Sequence, residues 1–271
     1  MADLLTNSEF EKFSKFIYDN SGITFSATNR SILESRLKER LRVTKLQTID
    51  EYYRLVVSDP EENKTMLDSV TTNLTRFFRN LPHFETLEKY VFPLLIKYKK
   101  AIGSNNIKIW SAGCSTGEEP YTIAMIAKEK LPPGFDIEII ASDLSLKSLM
   151  IGRQGFYPES RVAAVPKYYL NKYFTAVNGG YQTKDEIMKT IKFDYHNLKH
   201  DSGLRKLDII FCRNVLIYFD EMAQKAVINR FWESMASEAY LFIGHSESLF
   251  GMNTKFEFVK TDWACLYRKY I

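Results

Sequence analysis

No apolar stretch in this sequence approaches the ~20 residues that a helix needs to cross a bilayer. The N-terminal MADLLTNSEF is polar and acidic, without the pattern of a signal peptide. The two absences predict a cytoplasmic protein with no direct membrane insertion. Cysteine is scarce: Cys114, Cys212 and Cys265 are the only three and lie far apart. That spacing excludes a disulfide scaffold and offers no metal-ligand pattern, so no metal site is expected and the thiols should be reduced. A strong charge of one sign is missing as well. A net charge of +4 over 271 residues makes no case for nucleic acid, and no aromatic-basic interleaving of the kind that stacks bases is present. What the chain does have is apolar substance, 45% hydrophobic and 14% aromatic, enough for one large domain or a large plus a small one.

The stretch Ile107–Met125, IKIWSAGCSTGEEPYTIAM, reads as strand, tight turn, helix: a short apolar run, small residues from Ser111 to Gly117, then an amphipathic pattern through Tyr121, Ile123, Ala124 and Ala127. Gly113 and Gly117 are expected to let the backbone approach a ligand, and the helix start presents free N–H groups to it. A phosphate loop is excluded, because Glu118 and Glu119 follow Gly117 where Lys and Ser or Thr are required. Two carboxylates also disfavour a pyrophosphate and suit a ligand carrying positive charge, such as S-adenosylmethionine. About twenty residues on, after Ile137, Ile139 and Ile140, Asp143 stands where an acidic side chain accepts from a ribose diol. The plainer alternative, a helix start made acidic for its dipole with Asp143 as an ordinary N-cap, stays open on the motif alone.

Residues 1–70 read as helices only, over 9–20, 29–43, 49–58 and 61–69, with Leu33, Leu37 and Leu41 as an apolar stripe on the second. Between Arg30 and Lys45 six basic side chains stand against Glu34 and Glu39, and Lys38, Arg42 and Lys45 are expected to share one helix face. That face is either simply solvated or a docking surface for an acidic partner. In TTNLTRFFRNLPHFETL, 71–87, Asn73, Thr75, Arg76, Arg79 and His83 alternate with Phe77, Phe78 and Phe84, which suggests a folded wall over the ligand with one arginine turned inward. Beyond Asp143 a helix from Leu146 gives way at Gly155 and Pro158. The Tyr-rich 165–192, with a turn at Gly179 and Gly180, looks like short antiparallel strands inserted in the larger pattern. Strands then alternate with a helix from Glu221 until two closing strands, KFEFVK and ACLYRKY. The alternation means a mostly parallel sheet with its ligands at the strand C-terminal ends, where Glu118, Glu119, Asp143, Asn197, Arg213, Asn214 and His245 to Glu247 fall.

TTNLTRFFRNLPHF, WSAGCSTGEEPYTIAM, ASDLSLKSLMIGRQGFY, FCRNVLIYFD and GHSESL, in this order and spacing, closely resemble the CheR family of chemotaxis receptor methyltransferases, over a match from about Ser69 to the C-terminus. The resemblance implies an α/β fold: a class I S-adenosylmethionine methyltransferase domain (71–271), Rossmann-like and mostly parallel. It adds a small all-helical N-terminal domain (1–70) and an antiparallel β-subdomain inserted at about 165–192. It implies methyl transfer from S-adenosylmethionine, leaving S-adenosylhomocysteine, to glutamates on the cytoplasmic domains of chemoreceptors, the methyl-accepting proteins. Carried over by position, Asn73, Thr75, Arg79, Glu119, Asp143, Asn197, Leu198, Asn214 and Val215 would bind the cofactor. Tyr218 would lie next to the transferred methyl. Arg79 and Tyr218 are the catalytic candidates, and Lys38, Arg42 and Lys45 the substrate-docking set. In some members the inserted subdomain grips a receptor C-terminal peptide; the short Gly179-Gly180 loop leaves that open here. A glutamate acceptor is already ionised at neutral pH, its ordinary pKa being ~4.3, so the site needs positioning and desolvation rather than a base. Two other classes stay open: the same fold acting on a different protein or on RNA, and a non-catalytic sensor of the cofactor, against which the presence of Arg79 and Tyr218 counts.

Overall fold

Thr6 accepts the Glu9 N–H while the Glu9 carboxylate takes that of Thr6, a reciprocal cap that starts α1 (Asn7–Ser21). Gly22, at φ 76°, ends it in the left-handed region. After α2 (Arg30–Thr44), a second reciprocal cap, Thr48 with Glu51, starts α3 (Ile49–Ser58), and Asp59 followed by Pro60 starts α4 (Pro60–Val70). The structure, a computed structural model, describes residues 5–71 and 73–271.

These helices, with the segment Tyr218–Gln224, form one compact unit. Its core includes Phe13, Ile17, Leu33, Leu37, Tyr52, Val56 and Met66, all fully buried. Phe219 pairs with Ile23 as an isolated antiparallel bridge, and the Thr24 N–H donates to the Tyr218 carbonyl at 2.9 Å. The basic stretch is less uniform than its composition suggests. Arg40 turns in to form a two-pronged pair with Glu62, at 2.9 and 2.8 Å, beneath the Tyr52 hydroxyl, and Arg30 pairs with Glu34 at 3.0 Å. Lys38 and Arg42 are exposed on α2, Arg42 against Glu39 at 2.7 Å. Lys45 follows the last turn of α2 as its cap, at φ 60°.

The second unit comprises Asn73–Ile217 and Lys225–Ile271. The elements after α4 are α5 (Leu81–Thr86), a π-helical turn (Leu87–Val91), α6 (Phe92–Ala101), β1 (Asn106–Ala112), α7 (Glu118–Lys130), β2 (Asp136–Asp143), α8 (Leu146–Gln154), β3 (Phe156–Pro158), α9 (Glu159–Val162), α10 (Lys167–Tyr173), β4 (Phe174–Val177), β5 (Gly180–Thr183), α11 (Asp185–Met188), β6 (Ile191–Tyr195), β7 (Leu207–Cys212), α12 (Glu221–Ser234), β8 (Met235–Ile243), β9 (Glu257–Lys260) and β10 (Cys265–Tyr270). Seven strands form one sheet in the order β6-β2-β1-β7-β8-β10-β9. It is parallel through β8, and only β10 and β9 run antiparallel. Ile107, Ile109, Ile139, Ile209, Ile210 and Phe211 are buried, which is why these strands read as nearly continuous apolar runs. The fold is thus the α/β, mostly parallel architecture with a helical N-terminal portion that the sequence predicts.

The inserted region differs from expectation in content. β3, β5 and β4 form a separate antiparallel sheet that begins at Phe156, earlier than 165, while 167–173 and 185–188 are helical and Ile191 onward belongs to the large sheet. Tyrosine favours strands in general, but this run is helical. Tyr168 and Tyr173 lie on α10 and both donate to Glu129, which Lys172 also pairs at 2.6 Å, so they anchor the insert to α7 rather than line a strand. Nor is α7 amphipathic as expected, because Glu118 and Pro120 to Ala127 are all buried. Among the described residues no helix is long and apolar enough to cross a membrane.

Candidate functional site

Where β1 ends, the N–H groups of Gly113 and Cys114 both donate to the Ser142 carbonyl, at 2.8 and 2.9 Å, and pin the turn against the end of β2. Ser115 (φ 49°) and Gly117 (φ 94°) carry the chain through the left-handed region into α7, whose N-terminus no side chain caps. Protein packing by itself requires both glycines. A Cβ on Gly113 would meet Val215 Cγ2 at 2.4 Å, and one on Gly117 would meet the Tyr157 hydroxyl at 2.9 Å and Gly152 Cα at 3.0 Å. Cys114 and Cys212 are buried, burial pushing both thiols well up, while Cys265 is exposed.

Nor do the paired carboxylates form a bare acidic mouth. Glu118 is fully buried, taking the Thr116 hydroxyl at 2.6 Å and the Arg161 guanidinium at 2.7 Å. Glu119 takes the Ser111 hydroxyl at 2.7 Å and Arg213 Nη1 at 3.0 Å. Each charge is therefore balanced within the protein. The buried arginine is Arg213, from the loop after β7, and not one of the 71–87 segment, where Arg76 is exposed and Arg79 half-buried. The Arg213 side chain is 2% exposed, it lies over the Phe84 ring at 5.2 Å, and its other terminal nitrogen donates to the Arg79 carbonyl. Burial lowers its affinity for the proton while Glu119 opposes that shift. Arg79 is only half-buried and donates to the Leu74 carbonyl at 2.7 Å, closing residues 74–79 into a loop. Phe77 at the base of that segment is fully buried edge-on to Tyr157 and Phe174, and Phe78 is held at φ 52° with its N–H on Thr122.

Asp143, 9% exposed at the end of β2, accepts the Ser115 N–H at 2.8 Å on one oxygen and the Ser145 N–H at 2.9 Å on the other. It joins the turns after β1 and β2; the N-cap of α8 is Ser145, not Asp143. The neighbouring β6 ends beside it, the His196 N–H on the Asp143 carbonyl, and leads to Asn197 and to buried Leu198, whose carbonyl takes Arg230 at 2.8 Å. Past β7, Asn214 (φ 59°) and Val215 complete the edge, Val215 against Gly113. The structure therefore brings Arg79, Glu119, Asp143, Asn197, Leu198, Asn214 and Val215 to one edge of the parallel strands, with Asn73 and Thr75 flanking the Leu74 carbonyl. Tyr218, Lys38, Arg42 and Lys45 belong to the helical unit. Arg213 falls among the polar residues expected at the strand ends but carries no assigned role there, and Arg161 is not among the candidates. FCRN carried a signal for Arg213, since a charge directly after a buried strand needs a partner; Arg161 carried none.

His83, 5% exposed, is held neutral: burial first, then the charges of Arg213 and His245, push it down to about 3 from an ordinary 6.5. In the unfolded chain it takes a proton below 6.5, so its contribution to stability is intact above that pH and is lost as pH falls toward 3, by at most about 1.4 kcal/mol per unit. Urea titrations of His83→Gln between pH 7 and 4.5 should accordingly show a flatter stability profile than the parent. Parallel profiles would mean that His83 does not couple.

The edge fits a polar cofactor. Among the described residues the Ser115 hydroxyl and Arg213 Nε are buried without a hydrogen-bond partner, beside an uncapped helix start and an oriented carboxylate. Hydroxyl, guanidinium and N–H groups together with the Asp143 and Glu119 acceptors form a donor set suited to S-adenosylmethionine. Among the described residues no cluster suits a metal ion. Comparison with known proteins supports S-adenosylmethionine as the cofactor. The chain matches the all-alpha domain of CheR methyltransferases over residues 8–71 and their SAM-binding domain over 73–265. It is 37% identical to a chemotaxis protein methyltransferase of Borreliella burgdorferi over 94% of this chain and 93% of that one. Chemotaxis protein methyltransferase 2 of Vibrio cholerae is 34% identical over 91% and 87%, and the Escherichia coli chemotaxis protein methyltransferase 33% over 93% and 88%. With both parts of the family matched along nearly all of its length, the chain belongs to the CheR methyltransferases and is an S-adenosylmethionine-dependent enzyme.

Proposed function

We propose that this enzyme methylates glutamate side chains on the cytoplasmic domains of chemoreceptors, making γ-glutamyl methyl esters in sensory adaptation. The observation that carries the reading is the linkage of Arg79, Glu119 and Arg213, and of Asp143 with the turn after β1, at the ends of the parallel strands, in a chain whose relatives are named chemotaxis protein methyltransferases. When bound, S-adenosylmethionine supplies an activated methyl group on a good leaving group. The protein's own residues have the remaining tasks. Asn73, Thr75, Glu119, Asp143, Asn197, Leu198, Asn214 and Val215 hold the cofactor, Asp143 by accepting from hydroxyls. Arg79 serves chiefly the cofactor and the wall over it, since too firm a grip on the acceptor carboxylate would quench the nucleophile. Tyr218 orients that carboxylate with its hydroxyl.

Residues 1–70 then act as the docking domain and 71–271 as the transferase. Purified enzyme incubated with radiolabelled S-adenosylmethionine and membranes containing chemoreceptors should label the receptor in an alkali-labile form, as carboxyl methyl esters require. Tight cofactor binding with no transferred label would overturn the receptor-glutamate reading.

Tyr218→Phe is expected to lower turnover about tenfold to a hundredfold while leaving cofactor affinity within about twofold. Equal losses in both, or none, would remove Tyr218 from that role. Joint replacement of Lys38, Arg42 and Lys45 by Ala should raise the KM for receptor several-fold at low salt, with the difference fading near 0.5 M, where the Debye length is about 4 Å. A receptor KM that does not change would return these residues to ordinary solvated positions.

A further inference from the structure

We propose that Glu247 is a positioning residue for cofactor binding, a clamp on the main chain of the loop that carries Asn214 and Val215. The inference rests on the reading that those two residues line the cofactor. One oxygen of the Glu247 carboxylate accepts the Asn214 N–H at 2.9 Å and also the Gly244 N–H, and the other accepts the Ile217 N–H at 3.2 Å. A single side chain thus takes three backbone donors from two loops, those following the adjacent parallel strands β7 and β8, which pair Cys212 with Ile243 at their ends.

The local backbone shows why the clamp is needed. Asn214 is held at φ 59°, a conformation that costs a non-glycine residue free energy and persists when its surroundings enforce it. Gly244 has no room for a side chain, because a Cβ there would lie 2.5 Å from the carboxylate and 2.8 Å from the Asn214 nitrogen. The Glu247 N–H closes a turn on the Gly244 carbonyl at 2.9 Å, and the Leu249 N–H on the Tyr267 hydroxyl, also at 2.9 Å, anchors the loop behind it. Val215, on the clamped loop, packs over Gly113 and so reaches the turn after β1. The carboxylate therefore sets two walls of the edge through their main chain.

The test measures binding of S-adenosylhomocysteine to the full chain by calorimetry, well below the melting midpoint. Glu247→Ala is expected to bind it about tenfold to a hundredfold more weakly, the loss expected of hydrogen bonds to an ionised acceptor. Glu247→Gln keeps one acceptor but turns an NH2 toward a backbone donor, and should fall between Ala and the parent. Asn214→Gly, which keeps the left-handed backbone while removing the side chain, should also weaken binding, and its loss should not add to that of Glu247→Ala. A lower melting midpoint with unchanged affinity in the folded protein would make Glu247 merely structural and overturn the clamp. Full additivity with Asn214→Gly would overturn it too, since the residue would then act elsewhere. Unchanged binding in Asn214→Gly itself would overturn the underlying reading and the clamp with it.

Discussion

Arg213→Met is expected to lower the melting midpoint by about 10 °C and to weaken S-adenosylhomocysteine binding beyond a hundredfold. Removing one partner of a buried ion pair strands the other charge, a loss of about 3–5 kcal/mol, and each kcal/mol lowers the midpoint by about 2–4 °C in a chain of this size. Here the stranded group is Glu119, whose side chain is 12% exposed, and the Arg79 carbonyl loses its donor at the same time. The double variant Arg213→Met with Glu119→Gln should regain part of the midpoint, because no uncompensated carboxylate remains. Arg213→Lys should regain little binding, since one ammonium does not reproduce the fork that spans Glu119 and the Arg79 carbonyl. Thermal unfolding and calorimetry on the four proteins decide the matter. A double variant no more stable than Arg213→Met would show that the pair is not the source of the loss.

Asp143→Asn carries the second large effect, about a hundredfold in cofactor affinity. Both carboxylate oxygens hold a backbone N–H, from Ser115 and from Ser145, so an amide in its place must turn its NH2 toward one of them. One turn then loses its anchor, and the acceptor offered to a hydroxyl is weaker as well; hydrogen bonds to ionised groups are worth about 1.5–3 kcal/mol each. The Ser115 side is the more exposed to this change, since its backbone stands at φ 49° and relaxes once released. Binding within threefold of the parent would exclude Asp143 from the cofactor site and leave it as a tie between loops.

Much of this was legible in the residues themselves. Thr48 with Glu51, and Asp59 before Pro60, announce their helices because a cap and its N–H partners lie within one turn. The apolar runs of β1, β2 and β7 announce a parallel sheet because strands buried on both faces have no polar alternation to offer. The insert was harder to read. Its tyrosines suit strands, yet Tyr168 and Tyr173 lie on a helix and are committed by Glu129, 39 and 44 residues away. The same limit explains Lys45, where periodicity continues a helix that the backbone has already left at Thr44.

Outside the insert, the sequence alone therefore determined the kinds of elements, their alternation and the family, since caps, periodicity and motif order are local or linear properties. Tertiary structure decided what the charged and small residues at the edge do. Whether Glu119 is a bare charge depends on Arg213, 94 residues on, and whether Arg213 is buried depends on a carbonyl 134 residues before it. Gly113 and Gly117 make room for Val215 and Tyr157, neighbours that only folding supplies. A side chain's charge balance and free volume are set by whatever packs against it, and in an α/β fold those neighbours come from the ends of strands far apart in the chain.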